Sequence, residues 1–63
     1  MTINEYVENI AIPALNEEKE KGFTRSAICV GYKFDSLKVA NEIEKRTNFT
    51  CTPCGGTIYI KLF

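Results

Sequence analysis

Residues 51–63 read CTPCGGTIYIKLF, and the way this tail folds decides the architecture of the whole chain. Its last seven residues alternate: Ile58, Ile60 and Leu62 fall on one side, Tyr59, Lys61 and Phe63 on the other. A period of two marks a strand with one buried and one outward face. Upstream, Pro53 presets the backbone for a first central turn position, and Gly55 and Gly56 tolerate positive φ. A bulged loop of roughly three to five residues over 53–56 is therefore expected, joining a short strand at 49–52 to a closing strand at 57–63.

Working back from the hairpin, Asp35 is placed to cap a helix over Ser36–Arg46. Leu37, Ala40 and Ile43, with Val39 beside them, supply its buried face, and Asn48 ends it. Glu42 and Arg46 form a favourable i,i+4 pair, and Lys45 with Arg46 complements the helix dipole. Ahead of that helix, residues 24–32 (TRSAICVGY) have strand composition in their second half.

The chain opens with Thr2-Ile3-Asn4-Glu5, a capping box, and Ile3, Tyr6, Val7, Ile10, Ala11 and Ala14 follow at helical spacing. Pro13 interrupts the stripe, so a kink or a second start is expected near residues 9–12. Leu15 to Lys21 reads as a solvated last stretch, and Gly22 as a left-handed stop.

The element order is thus α-β-α-β-β, an α+β chain forming one small domain over residues 1–63. Strand-helix-strand predicts a right-handed crossover between parallel strands, and the final pair an antiparallel hairpin. The expected architecture is two helices packed on one face of a three-stranded mixed sheet, with the opposite face bare.

Composition narrows the function. The 63 residues carry eight basic and eight acidic side chains, so net charge gives no general drive toward nucleic acid or anionic membrane. A chain of this size buries only about 60% of its unfolded surface, which leaves a thin core and little room for a pocket. It has no histidine, removing the commonest general base and metal ligand together. An enzyme is not expected, nor a cofactor. The start, MTINEYVENI, has no basic n-region and no long apolar run, and no segment approaches the roughly 18 apolar residues of a membrane helix. The expected location is cytoplasmic, with no membrane partner and reduced thiols.

Cys51-Thr52-Pro53-Cys54 invites a chemical reading. A Cys-x-x-Cys-Gly turn is half of a zinc ribbon, but a structural zinc wants four ligands, and only Cys29 remains as a third. Strand parity also places Cys29 and Cys51 on opposite sides of the sheet, unless Ala27 and Cys29 are the inward residues of their strand. Redox chemistry of the thioredoxin kind needs a helix N-terminus beneath the first cysteine, whereas Gly-Gly and a strand follow here. The pair is expected to be an ordinary hairpin turn, with no metal assigned. A zinc-stapled structural module stays as an alternative.

The bare face is the stronger candidate. If Ile28, Val30 and Tyr32 face the helices, the outer face carries Arg25, Ala27, Cys29, Gly31 and Lys33 from the first strand. Thr50 and Thr52 join from the second, and Tyr59, Lys61 and Phe63 from the third. Arg25, Lys33, Tyr59, Lys61 and Phe63 are the candidate binding residues, because aromatics and arginine anchor protein contacts. The same residue types on an open sheet stack single-stranded nucleic acid, so a small nucleic-acid-binding domain is the alternative.

In length and plan the chain resembles the very short accessory proteins of bacteriophages and prophages: a capped first helix with an internal proline (NIAIPAL), a glycine stop, strand, helix and closing hairpin. That resemblance implies non-enzymatic action by binding: inhibition of a host or defence protein by steric occlusion, commonly as a homodimer. A protein partner and a homo-oligomer are accordingly expected.

Overall fold

The computed structural model describes residues 1–31 and 33–63. Its elements are α1 (Ile3–Tyr6), a π-helical turn (Val7–Ala11), α2 (Ile12–Glu20), β1 (Arg25–Cys29), α3 (Ser36–Arg46), β2 (Thr50–Cys54) and β3 (Thr57–Lys61). The chain is α+β. The expected inward placing of Tyr32 lies outside the described residues.

The first helix starts on its capping box: the Glu5 amide donates to Thr2 Oγ1 at 3.1 Å, and the Thr2 amide to Glu5 Oε1 at 3.0 Å. The Thr2 amide, and secondly the Thr2 side chain, hold the Glu5 carboxyl below its usual range by hydrogen bonding to its ionised form. The expected kink takes the form of the π-helical turn. Pro13 has no N–H for the carbonyl of Asn9, and the Ile12 amide bonds back to Val7 O, five residues away. One extra residue in the turn rotates the buried face. Val7, Ala11 and Leu15 are buried, whereas Ile10 and Ala14, placed in the stripe by simple periodicity, are exposed. Leu15, read from sequence as part of a solvated stretch, is instead a core residue.

Gly22, at φ 93°, stops this helix as expected. The Phe23 amide donates to Glu18 O and the Gly22 amide to Lys19 O, the two bonds of a Schellman cap.

In α3, Asp35 caps the start through Oδ1 on the Leu37 amide at 3.0 Å. Its buried residues are Val39, Ala40 and Ile43, while Leu37, expected inside, is 57% exposed. Core spacing therefore runs from Val39 through Ile43, and Leu37 falls off that arc. Arg46 pairs with Glu8 of the π-helical turn and with Glu42 of its own helix, tying the two helices together.

The sheet order is β1-β3-β2, and both ladders are antiparallel. This corrects the expected mixed sheet. β1 and β2 do point the same way, as the strand-helix-strand reading required, but β3 lies between them and no parallel ladder forms. Two residue patterns account for the order. Pro53 cannot donate to a ladder on both sides, which confines β2 to an edge. The apolar positions of the tail, Ile58, Ile60 and Leu62, are all buried, as the middle strand requires. They join Val7, Ala11, Leu15, Val39, Ala40, Ile43, Val30 and Phe49 in one cluster.

The hairpin is tighter than expected. β2 runs through Cys54, which pairs with Thr57, so only Gly55 and Gly56 form the turn. Gly55 has φ 61° and Gly56 has no positive φ, the φ pattern of a II′ turn. Gly56 has a steric reason to be glycine: a Cβ there would sit 3.0 Å from Gly31 O. Its own carbonyl accepts from the Val30 and Gly31 amides at 2.8 and 3.1 Å, fastening the hairpin tip to the end of β1.

Candidate functional site

Alternation along the three strands builds the outer face. Register places Lys61 between Arg25 and Thr50, Tyr59 between Ala27 and Thr52, and Thr57 between Cys29 and Cys54. Arg25, Ala27, Cys29, Thr50, Thr52, Tyr59 and Lys61 are all exposed, as strand parity predicted. Arg25, Tyr59 and Lys61 meet around a shallow groove of about 380 Å³ completed by Ser26, Thr50, Thr52 and Ile60. Like charges directly across a ladder repel. Among the described residues the ion pairs join Glu8, Glu17 and Glu42 to Lys21, Lys45 and Arg46, so Arg25 and Lys61 stand side by side without a carboxylate.

The remaining candidate residues lie elsewhere. Phe63 follows the end of β3, past buried Leu62, and its ring lies 5.1 Å from Lys19 Nζ of α2; the same ammonium is 5.6 Å from the Phe49 ring. The strand's alternation had assigned Phe63 to the outer face, but the strand ends at Lys61 and the terminal residue turns toward the helix. Lys33 lies in the turn after β1, where the tight Gly31 backbone, at φ 60°, breaks the strand's parity. It lines a different cavity, of about 490 Å³, with Met1, Tyr6, Ile10, Cys29, Val30, Gly31 and Phe34. The Tyr6 and Phe34 rings pack there at 5.1 Å between centroids. Burial raises the Tyr6 hydroxyl pKa, with a smaller push from Cys29.

Sequence reasoning missed this cavity because Ile10 had been placed in the core. It also passed over Phe23, which stands 53% exposed just before β1. Its only sequence signal was position: the residue after a Schellman glycine often packs back on the helix, and this one does not.

The cysteines separate. Cys51 packs against the core, while Cys54, three residues on in the same strand, is exposed with Thr50 and Thr52. Their side chains leave opposite faces of β2, so the Cys-x-x-Cys spacing does not converge on one point. Among the described residues no group of three or more His, Cys, Asp or Glu side chains is placed to hold a metal ion. Burial, and secondly the nearby Glu44 carboxylate, push the Cys51 thiol up to about 11.

No helix among the described residues is long and apolar enough to cross a membrane. No protein-family model matches the chain, and neither a curated protein nor a solved structure shows significant similarity to it.

Proposed function

We propose that this chain is a non-enzymatic protein-binding module whose contact surface is the outer face of the sheet. On this reading both helices cover the opposite face, and the face around Tyr59 is left for a partner. The observation that carries it is the row Arg25–Lys61 beside Tyr59: two adjacent cations with no internal carboxylate, next to a 55% exposed aromatic ring. Tyrosine and arginine are the residue types that dominate binding energy at protein contacts. An acidic surface on the partner would supply the missing negative charge and steer the encounter. Inhibition of a host or defence protein by occlusion, the action that the phage-like plan implies, belongs to the same proposal.

Single-stranded nucleic acid is the less favoured occupant. Base-stacking platforms use successive aromatic rings, and with Phe63 turned toward Lys19, Tyr59 is the one aromatic on the outer face among the described strand residues. The test compares the wild-type chain with Tyr59→Ala and Lys61→Ala, each first checked for an unchanged fold by circular dichroism. A defined partner retained by the wild type and lost by both variants supports the proposal. Binding of labelled oligonucleotides with a steep salt slope, lost in the same variants, moves the face to nucleic acid instead.

A further inference from the structure

The outer edges of the sheet are treated differently, and the difference points to a second copy of this chain. Hydrogen-bonding sides follow from the register. The two-residue turn makes Cys54 and Thr57 a bonded pair, so Thr57, Tyr59 and Lys61 bond to β2, while Ile58 and Ile60 bond to β1. The Leu62 amide on Thr24 O, at 2.9 Å, continues that alternation. In β1, Ser26 and Ile28 therefore bond inward, and the N–H and C=O groups of Arg25, Ala27 and Cys29 point out from the edge.

On the β2 edge every outward donor position is closed. Phe49 N–H donates to Thr47 Oγ1 at 3.2 Å, Cys51 N–H donates to Glu44 Oε2 at 3.0 Å, and Pro53 has no N–H. On the β1 edge no described residue accepts from or donates to the outward groups of Arg25, Ala27 and Cys29. The inner side of β1 is also less completely covered, since Ser26 and Ile28 are only partly buried where Ile58 and Ile60 are buried. An uncovered edge of this kind is a template for another strand.

We propose that β1 pairs antiparallel with β1 of a second copy about a two-fold axis at Ala27, joining two three-stranded sheets into one. The occupant is read from three features. Antiparallel pairing centred on Ala27 sets the smallest side chain of the outer row opposite itself. It sets Arg25 opposite Cys29 of the second copy, whereas centring on Arg25 would oppose like charges. Above all, it brings the start of β1 in one copy, just after Phe23, to the end of β1 at Cys29 in the other. Phe23 is exposed, and Cys29 lines the 490 Å³ cavity, whose walls are mostly apolar (Met1, Tyr6, Ile10 and Phe34) with Lys33 at its side. Each copy thus offers one aromatic ring and one cavity at opposite ends of the same edge, the reciprocal arrangement an isologous dimer needs. The pairing uses the β1 edge and leaves Tyr59 and Lys61 free, so it stands independently of what the outer face binds.

Sedimentation velocity over a wide concentration range tests it. The wild type is expected to move from 7.1 kDa to twice that mass. Ala27→Pro removes an N–H that bonds nothing within the chain, a change an edge strand tolerates, so it should keep the monomer's circular dichroism and stay at monomer mass. Ala27→Lys, which opposes two cations on the axis, should also be monomeric, and Phe23→Ala should weaken association by about tenfold or more. A wild type that remains at 7.1 kDa to about 1 mM overturns the proposal, including the case in which it captures an extended peptide on β1. So does a folded Ala27→Pro or Ala27→Lys chain that still dimerises.

Discussion

The two edges of this sheet are built from strands of equal length, yet one is closed and the other open. β2 carries a proline and a carboxylate on its Cys51 amide, and the Phe49 amide just before it donates to a hydroxyl. β1 carries Arg25, Ala27 and Cys29 with outward backbone groups and no cap. Closing an edge needs a neighbour, and here the neighbour is α3: Glu44 projects from it and Thr47 ends it, so the helix that precedes β2 guards that strand. The helix that precedes β1 ends in a Schellman turn at Gly22 and offers no side chain to the β1 backbone. The contrast is thus a consequence of which connection precedes each strand.

The largest effect is expected where both edges depend on one element. Ile58 is fully buried in β3, between the two ladders, and Ile58→Ala should cost about 2–5 kcal/mol. A 63-residue domain has only about 3–9 kcal/mol in total, so urea denaturation should find the variant largely unfolded at low denaturant. Gly56→Ala comes next. The added methyl meets backbone atoms of Gly31, which cannot move aside as a side-chain end would, and a loss of about 1–3 kcal/mol is expected. It should loosen the junction that ends the open edge, read as faster exchange of the Val30 and Gly31 amides.

The helix-to-sheet plan was legible in the residues, and so was most of the outer face. Capping by Thr2 and Asp35, the stop at Gly22 and the alternation of Ile58 to Lys61 are local signals, and local chemistry produced them. Sheet order was not legible in the same way. Strand-helix-strand states only that β1 and β2 run in the same direction. Whether they touch depends on where β3 inserts, and that is a contest of burial in three dimensions. Pro53 held the clue, since it demands an edge strand, but it was spent on the turn. The π-helical turn misled for a related reason: one inserted residue shifts the phase, moving Leu15 inward and Ile10 outward. Phe63 and Lys33 were projected from strand parity past the points where the strands end.

A smaller effect sharpens the contrast between edges. Glu44→Ala removes the acceptor from the Cys51 amide, and a loss of about 1 kcal/mol is expected, lowering the melting midpoint by about 4–8 °C. Opening β2 should also introduce concentration-dependent association that the wild-type edge resists. Glu44→Gln keeps an acceptor oxygen and should recover most of the stability.

The smallest effect is chemical. Cys51 holds its proton to about 11 against an ordinary 9.0, so at pH 8 it should alkylate far more slowly than exposed Cys29 and Cys54. Because the folded thiol pKa is raised, the folded chain binds more protons than the unfolded one between those values. Stability should therefore fall as pH rises from about 9 to about 11. Glu44→Gln removes part of the cause and should make Cys51 alkylate faster, measured by mass spectrometry of the modified peptide.

The contrast between edges is tested most directly by residue-resolved amide hydrogen exchange at two protein concentrations. At low concentration the account predicts slow exchange at Ser26, Ile28 and Cys51, and fast exchange at Arg25, Ala27 and Cys29. At high concentration Ala27 should become slow while Cys51 is unchanged. Fast exchange at Ala27 at every concentration, or slow exchange there in the dilute monomer, would contradict it.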